Sequence, residues 1–193
     1  MLKEIKTEYQ HYFVDENNLK HGEYKSHFDN GQLFGHCHYQ YDNLHGEYKD
    51  YHKNGNLDTH CHYINGNRHG DYKSYYINGQ LHIHSHYNND KRHGEYKSYH
   101  SNGQLHIHSH FNNDKRHGDY KNYYYNGQLD THCHHQNGKL HGEYRSYYYN
   151  GILVYATFFY QDNDLKVNPD TLIEKDKTYI LLSGRLPPKE PSC

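Results

Sequence analysis

Tryptophan is absent from this chain of 193 residues, and proline occurs only four times. Hydrophobic residues make up 33%, and many of them are tyrosines, which number 25. A compact two-layer core needs far more aliphatic side chains. A thin, elongated sheet does not, because a tyrosine ring supplies apolar area while its hydroxyl stays wet. No apolar run approaches the roughly 20 residues of a membrane span, and Met1-Leu2-Lys3-Glu4-Ile5-Lys6 has no signal-peptide core. The formal net charge is -2, without the clustered Lys and Arg excess that marks a nucleic-acid partner. These absences predict a soluble, cytoplasmic chain that binds no nucleic acid.

Cysteine is scarce too, at four residues. Cys37, Cys61 and Cys133 hold one repeat position that Ser85, Ser109 and Thr157 hold elsewhere. A column of Cys, Ser and Thr asks for smallness, not sulfur chemistry. If the column crosses a sheet, Cys37 and Cys61 lie two strands apart, about 9–10 Å. A disulfide needs its Cα atoms within about 7 Å. Cys193 then reads as a loose terminal thiol.

What the chain has is repetition. His-Gly begins at His21, His45, His69, His93, His117 and His141, and Asn-Gly follows at Asn30, Asn54, Asn78, Asn102, Asn126 and Asn150. Each copy has a leucine two residues after that glycine, Leu33 through Leu153. A fixed period of this size marks stacked repeats, each burying surface only against its neighbours.

The turns set an expected register. Asn78-Gly79, read as a type I′ turn, pairs Tyr76 with Leu81, Ser74 with Ile83, Tyr72 with Ser85 and Gly70 with Tyr87 on one packed face. The other face then pairs Tyr75 with His82, Lys73 with His84 and Asp71 with His86. The second turn, Asn65-Gly66 or Asn137-Gly138, is replaced elsewhere by Asp42-Asn43, Asn89-Asp90 and Asn113-Asp114. Pairing outward from it sets Cys61 against Gly70, Thr59 against Tyr72, Glu95 against His84 and Lys97 against His82. The expected fold is all-β: an elongated antiparallel meander of about twelve strands from six repeats over 21–164. Residues 1–20 read as an N-terminal half-repeat, Ile5, Thr7, Tyr9, His11 and Phe13 alternating before a turn at Asn17-Asn18. The run Ile152–Tyr160 is apolar on both faces and needs a cover. Residues 165–193 supply it as a short cap, with a helix start at Asn168-Pro169-Asp170, a packing segment at Tyr179–Leu182 and a disordered tail from Pro187.

The Gly-acid-Tyr-base-x-Tyr-Tyr-x-Asn-Gly-x-Leu run, as in Tyr144 to Leu153, resembles the MORN repeat in its shorter variant, also seen in bacterial antitoxin-like proteins. The Tyr-, Asn- and His-heavy composition is also similar to that of MORN-repeat proteins of giant DNA viruses, which would place the chain in host cytoplasm or virion. The resemblance implies an elongated β array acting as an interaction scaffold, with phospholipid-headgroup binding in some members. It brings no catalytic residues and no cofactor.

The 23 histidines stand apart from that resemblance. Six belong to His-Gly, read as a turn motif. Others form His-x-His runs at His36/His38, His60/His62, His82/His84/His86, His106/His108/His110 and His132/His134, on the outer face. In the expected register each acidic residue lies between a histidine of its own hairpin and one of the preceding hairpin. Three readings follow: a solvated polar face, a Zn²⁺ or Cu²⁺ surface site, or a pH response. The metal candidates are His84, His86, His108, His110, His60 and His62, because imidazoles two apart on a strand can share one ion and a flanking carboxylate can add a third ligand. For the pH response, lowering pH to about 5.5 carries the net charge from -2 to about +19. Ladders across a flat face offer no concave catalytic constellation. The expected function is non-enzymatic protein binding through a Tyr- and His-rich sheet. The alternatives are metal or phospholipid-headgroup binding, or an antitoxin-like immunity module.

Overall fold

The computed structural model describes residues 1–160 and 164–166, which form one fifteen-stranded sheet in simple sequence order. An N-terminal hairpin, β1 (Lys3–Lys6) and β2 (Gln10–Val14), precedes the repeats. The six repeats then supply twelve strands, two each: β3 (Lys20–His27), β4 (Leu33–Gln40), β5 (Asn43–Tyr51), β6 (Leu57–Ile64), β7 (Asn67–Tyr75), β8 (Leu81–Asn88), β9 (Lys91–Tyr99), β10 (Leu105–Asn112), β11 (Lys115–Tyr123), β12 (Leu129–Gln136), β13 (Lys139–Tyr147) and β14 (Leu153–Tyr160). Every neighbouring pair is antiparallel, and β15 (Asp164–Lys166) pairs with β14. The alternating run expected from Ile5 to Phe13 is broken between Lys6 and Gln10, so it makes two strands, not one. The turn expected at Asn17-Asn18 is present, with Asn18 at φ 60°. The helix start at Asn168, the segment at Tyr179–Leu182, the tail and Cys193 lie outside the described residues.

The two long edges carry different turns, and one departs from expectation. At Asn78-Gly79, Gly79 N–H donates to Tyr76 O and Tyr76 N–H donates to Gln80 O, each at 2.8 Å. That is a three-residue loop, a type I turn closed by a bulged glycine at φ 85°, in place of a type I′ turn. Tyr75, not Tyr76, therefore pairs with Leu81, and His82 becomes the extra residue between Leu81 and Ile83 instead of facing Tyr75. Below the bulge the expected pairs hold, from Ser74 with Ile83 to Gly70 with Tyr87. The opposite edge has true type I′ turns, with Asn65 at φ 50° and Gly66 at φ 83°. In the first copy the turn is Tyr41-Asp42, one residue earlier than Asp42-Asn43.

The His-Gly pair makes no turn. It sits inside a strand, where β7 spends two more residues than β6 between the Tyr63–Arg68 pair and the Cys61–Tyr72 pair. Gly70 bends through the excess at φ 83°, a conformation that suits glycine. Partners beyond it shift by two. Cys61 faces Tyr72 rather than Gly70, Thr59 faces Ser74 rather than Tyr72, and His84 faces Lys97 rather than Glu95, so Lys97 does not face His82. An even shift leaves every side chain on its expected face.

That face packs large rings beside a column of small residues. Cys37, Cys61, Ser85, Ser109 and Cys133 are all 4% exposed or less. Next to them run edge-to-face ring pairs, Tyr24–Tyr39, Tyr48–Tyr63, Tyr72–Tyr87, Tyr96–Phe111 and Tyr120–His135, with centroids 5.4–5.8 Å apart. Such pairs contribute about 0.5–1.5 kcal/mol each beyond their buried area. The Arg68 guanidinium lies 4.3 Å from the Tyr87 ring and that of Arg92 4.2 Å from Phe111. The three cysteines are free thiols, and burial pushes each up to about 11, away from thiolate chemistry.

Both edges are stapled from one repeat to the next. On the type I′ edge the staple is main chain: Gly66 N–H donates to Leu44 O, and Asp90 N–H donates to Arg68 O. On the bulged edge it is side chain, as Asn78 Nδ2 donates to Ser101 O and Asn102 Nδ2 to Tyr125 O. Asn78 Oδ1 meanwhile accepts from Gln80 N–H within its own loop, so one amide closes the turn and ties it to the next.

Candidate functional site

On the outer face the two sides of each hairpin bring acid, base and imidazole into register. Lys97 faces His84 on one side and His108 on the other, while Glu95 faces His110. The charged contacts to these histidines run within one hairpin, unlike the expectation that each acid bridges two. The two-residue excess at His-Gly carries the acid out of line with the preceding hairpin.

Which histidine receives the carboxylate depends on the length of the acid. Glu23, Glu47 and Glu95 each reach diagonally, their Oε1 lying 2.9 Å from Nε2 of His36, His60 and His108. Asp71 and Asp119, one methylene shorter, stop at the directly opposite residue, at 2.7 Å from His86 Nδ1 and 3.1 Å from His134 Nδ1. Asp71 is 3.9 Å from His84, and Asp119 is 4.0 Å from His132. The glutamates also accept from a lysine on their own strand, Lys25, Lys49 and Lys97, at 2.8 Å. That lysine hydrogen bond, helped by the histidine, holds Glu23, Glu47 and Glu95 below the usual carboxylate range. His134 does the same for Asp119.

The metal candidates from the sequence thus fall into three sets: His60 and His62 with Glu47, His84 and His86 with Asp71, and His108 and His110 with Glu95. Among the described residues, the third gathers one ligand atom from each of Glu95, His108 and His110 within 4.8 Å of one another. The sequence pattern gives both histidines and sets Glu95 between its own hairpin and His84; the structure keeps the pairing within the hairpin, with His110, and not the one with His84.

Two further roles escaped that pattern. His52 and His100 donate through Nε2 to Tyr75 O and Tyr123 O, at 3.0 and 2.9 Å. Tyr76 and Tyr124 donate their hydroxyls to the equivalent carbonyls, Tyr99 O and Tyr147 O, at 2.8 and 2.7 Å. A donor-bearing ring at positions 52, 76, 100 and 124 was the signal. These histidines are repeat staples, not ligands. His106 stacks on His100, centroids 4.3 Å apart, and burial lowers its pKa.

The second role is a rim. Ile77, Tyr125, Tyr148, Tyr149 and Ile152, at or beside the bulged turns, are each more than half exposed. In the first two copies the corresponding tip holds an ion pair, Asp29 with Lys53 at 3.4 Å. The rim is thus charged at its N-terminal end and apolar towards repeat six. No helix among the described residues is long and apolar enough to cross a membrane.

No curated protein matches the chain. A family model described as the MORN repeat variant matches it six times in succession, at residues 20–41, 44–65, 68–89, 92–113, 116–139 and 140–162. The four matched segments between residues 44 and 139 each begin just after one type I′ turn and end at the next, so the matched unit coincides with one stapled hairpin. This chain belongs to the MORN-repeat family, in its variant form.

Proposed function

We propose that this chain is a non-enzymatic scaffold that binds another protein, using the extended Tyr- and His-rich sheet and its apolar rim. The observation that carries the reading is the exposure of Tyr125, Tyr148 and Tyr149, at 53%, 57% and 55%, with Ile152 in the same turn as Tyr149 and Ile77 further along the rim. Large rings left in water on a polar sheet mark an interaction surface, and tyrosine suits such surfaces because it is rigid and amphipathic. Their backbone carbonyls already serve as staples, as at Tyr125 O and Tyr149 O. The loops therefore present the rings without needing to order on binding.

The test is affinity capture from extract of the source cell, comparing the wild type with Tyr125→Ser/Tyr149→Ser. One discrete protein held by the wild type and released by the double variant supports the proposal, once the purified pair binds at micromolar affinity or better. Equal capture by both, or none by either, overturns it. Flotation with anionic liposomes and no protein capture would transfer the surface to lipid headgroups.

A further inference from the structure

We infer that Glu95, His108 and His110 form a binding site for a single divalent transition-metal ion of the Zn²⁺ or Cu²⁺ class. The site is independent of the protein-binding reading. Its three ligand atoms lie within 4.8 Å of one another. An ion about 2.0–2.2 Å from each of three ligands in tetrahedral geometry holds them roughly 3.4 Å apart, so small side-chain rotations close these three on one ion. His108 and His110 project from one face of β10, and Glu95 reaches them from β9 directly opposite His110. Two imidazoles and one carboxylate suit a borderline ion. Three protein ligands leave a fourth position open, and the exposure of Glu95 and His110 turns that position to solvent.

The acid's length separates this site from repeat three, while among the described residues only Glu95, His108 and His110 gather their ligand atoms this closely, although Glu23 and Glu47 reach His36 and His60 alike. Repeat three offers the same His-Ile-His-Ser-His strand, but Asp71 is drawn onto His86 Nδ1 at 2.7 Å and stands 3.9 Å from His84. Glu95 bonds His108 while lying opposite His110, so its carboxylate stands between the two rings, whose centroids are 5.6 Å apart. Lys97 opposes the ion. Its ammonium holds Glu95 at 2.8 Å and must swing aside for metal to enter, and Lys121 also faces His108 from β11. Lys97 therefore acts as a competitor that keeps the carboxylate ionised and placed in the absence of metal.

The experiment is calorimetric titration of the full, untagged chain with Zn²⁺ at pH 7.4, with circular dichroism confirming that each variant is folded. The wild type should bind one equivalent saturably. Glu95→Gln and His110→Ser should each weaken that step at least about tenfold. Lys97→Gln should strengthen it, and Asp71→Glu should add a second equivalent. Non-saturating heats, or a saturable step indifferent to both Glu95→Gln and His110→Ser, would overturn the site. A weaker step in Lys97→Gln would overturn the competitor role, and one equivalent in Asp71→Glu would overturn the argument from acid length.

Discussion

Repeats three and four, residues 69–92 and 93–116, differ at four positions: Asp71/Glu95, Tyr76/His100, Ile77/Ser101 and Tyr87/Phe111. Two of the changes leave the architecture untouched. Tyr76 and His100 both donate to the carbonyl of the next repeat, through a hydroxyl in one case and Nε2 in the other. Tyr87 and Phe111 both sit beneath an arginine, so the packed face needs the ring and not its hydroxyl. The other two change the surface. Ile77 adds apolar area to the rim where Ser101 adds none, although both main-chain carbonyls accept an asparagine from the previous repeat. The one-methylene change from Asp71 to Glu95 moves a carboxylate from one histidine to the next. Substitutions facing inward are thus absorbed by shared geometry, whereas those facing outward alter chemistry.

The largest effect should come from emptying the shared packing. Phe111 is 7% exposed, and Phe111→Ala should cost about 3–5 kcal/mol in chemical denaturation. Tyr87→Phe, which only copies repeat four into repeat three, should leave the midpoint almost unchanged. Next in size is the bulged turn, where Gly79→Val and Gly103→Val should cost about 1–3 kcal/mol each. The two values should agree, because φ is 85° and 86° and the nearest foreign atoms lie 3.6 Å away in both. A marked inequality would break the equivalence of the repeats. Smaller still, Tyr76→Phe should lose one staple hydrogen bond, about 0.5–1.5 kcal/mol by thermal unfolding. Last comes the outer face, where His84→Ser should shift stability by no more than about 0.5 kcal/mol. If that substitution matched Gly79→Val in cost, the assignment of the two faces would be wrong.

Much of this fold is legible in the sequence because a strand's side chains alternate with period two. Once the recurring His-Gly and Asn-Gly pairs give the period, the twelve strands of the six repeats and the packed Ser/Cys column follow from that alternation. The same periodicity hides any change by two residues. A two-residue excess is invisible to parity, so the pattern around His69-Gly70 looks identical whether those residues turn the chain or bulge within a strand. Every cross-strand partner beyond it was displaced for that reason, Glu95 with His84 among them. The loop at Asn78-Gly79 is ambiguous more locally, since Asn-Gly serves a type I turn with a bulged glycine as well as a type I′ turn. The candidate site was half legible. His108 and His110 announce themselves by spacing, but the choice of Glu95 over Asp71 depends on carboxylate reach, which no alternation pattern encodes.

The staples have a consequence for how such a chain changes over generations. Each joins a repeat only to the next, and the ring staple tolerates either a tyrosine or a histidine as donor. A whole copy can therefore be gained or lost without rebuilding its neighbours. Every added copy moves whatever lies beyond it by two strand spacings, about 9–10 Å. The sheet is in that sense a graduated rule, and the number of its divisions sets the distance between the surfaces that it carries.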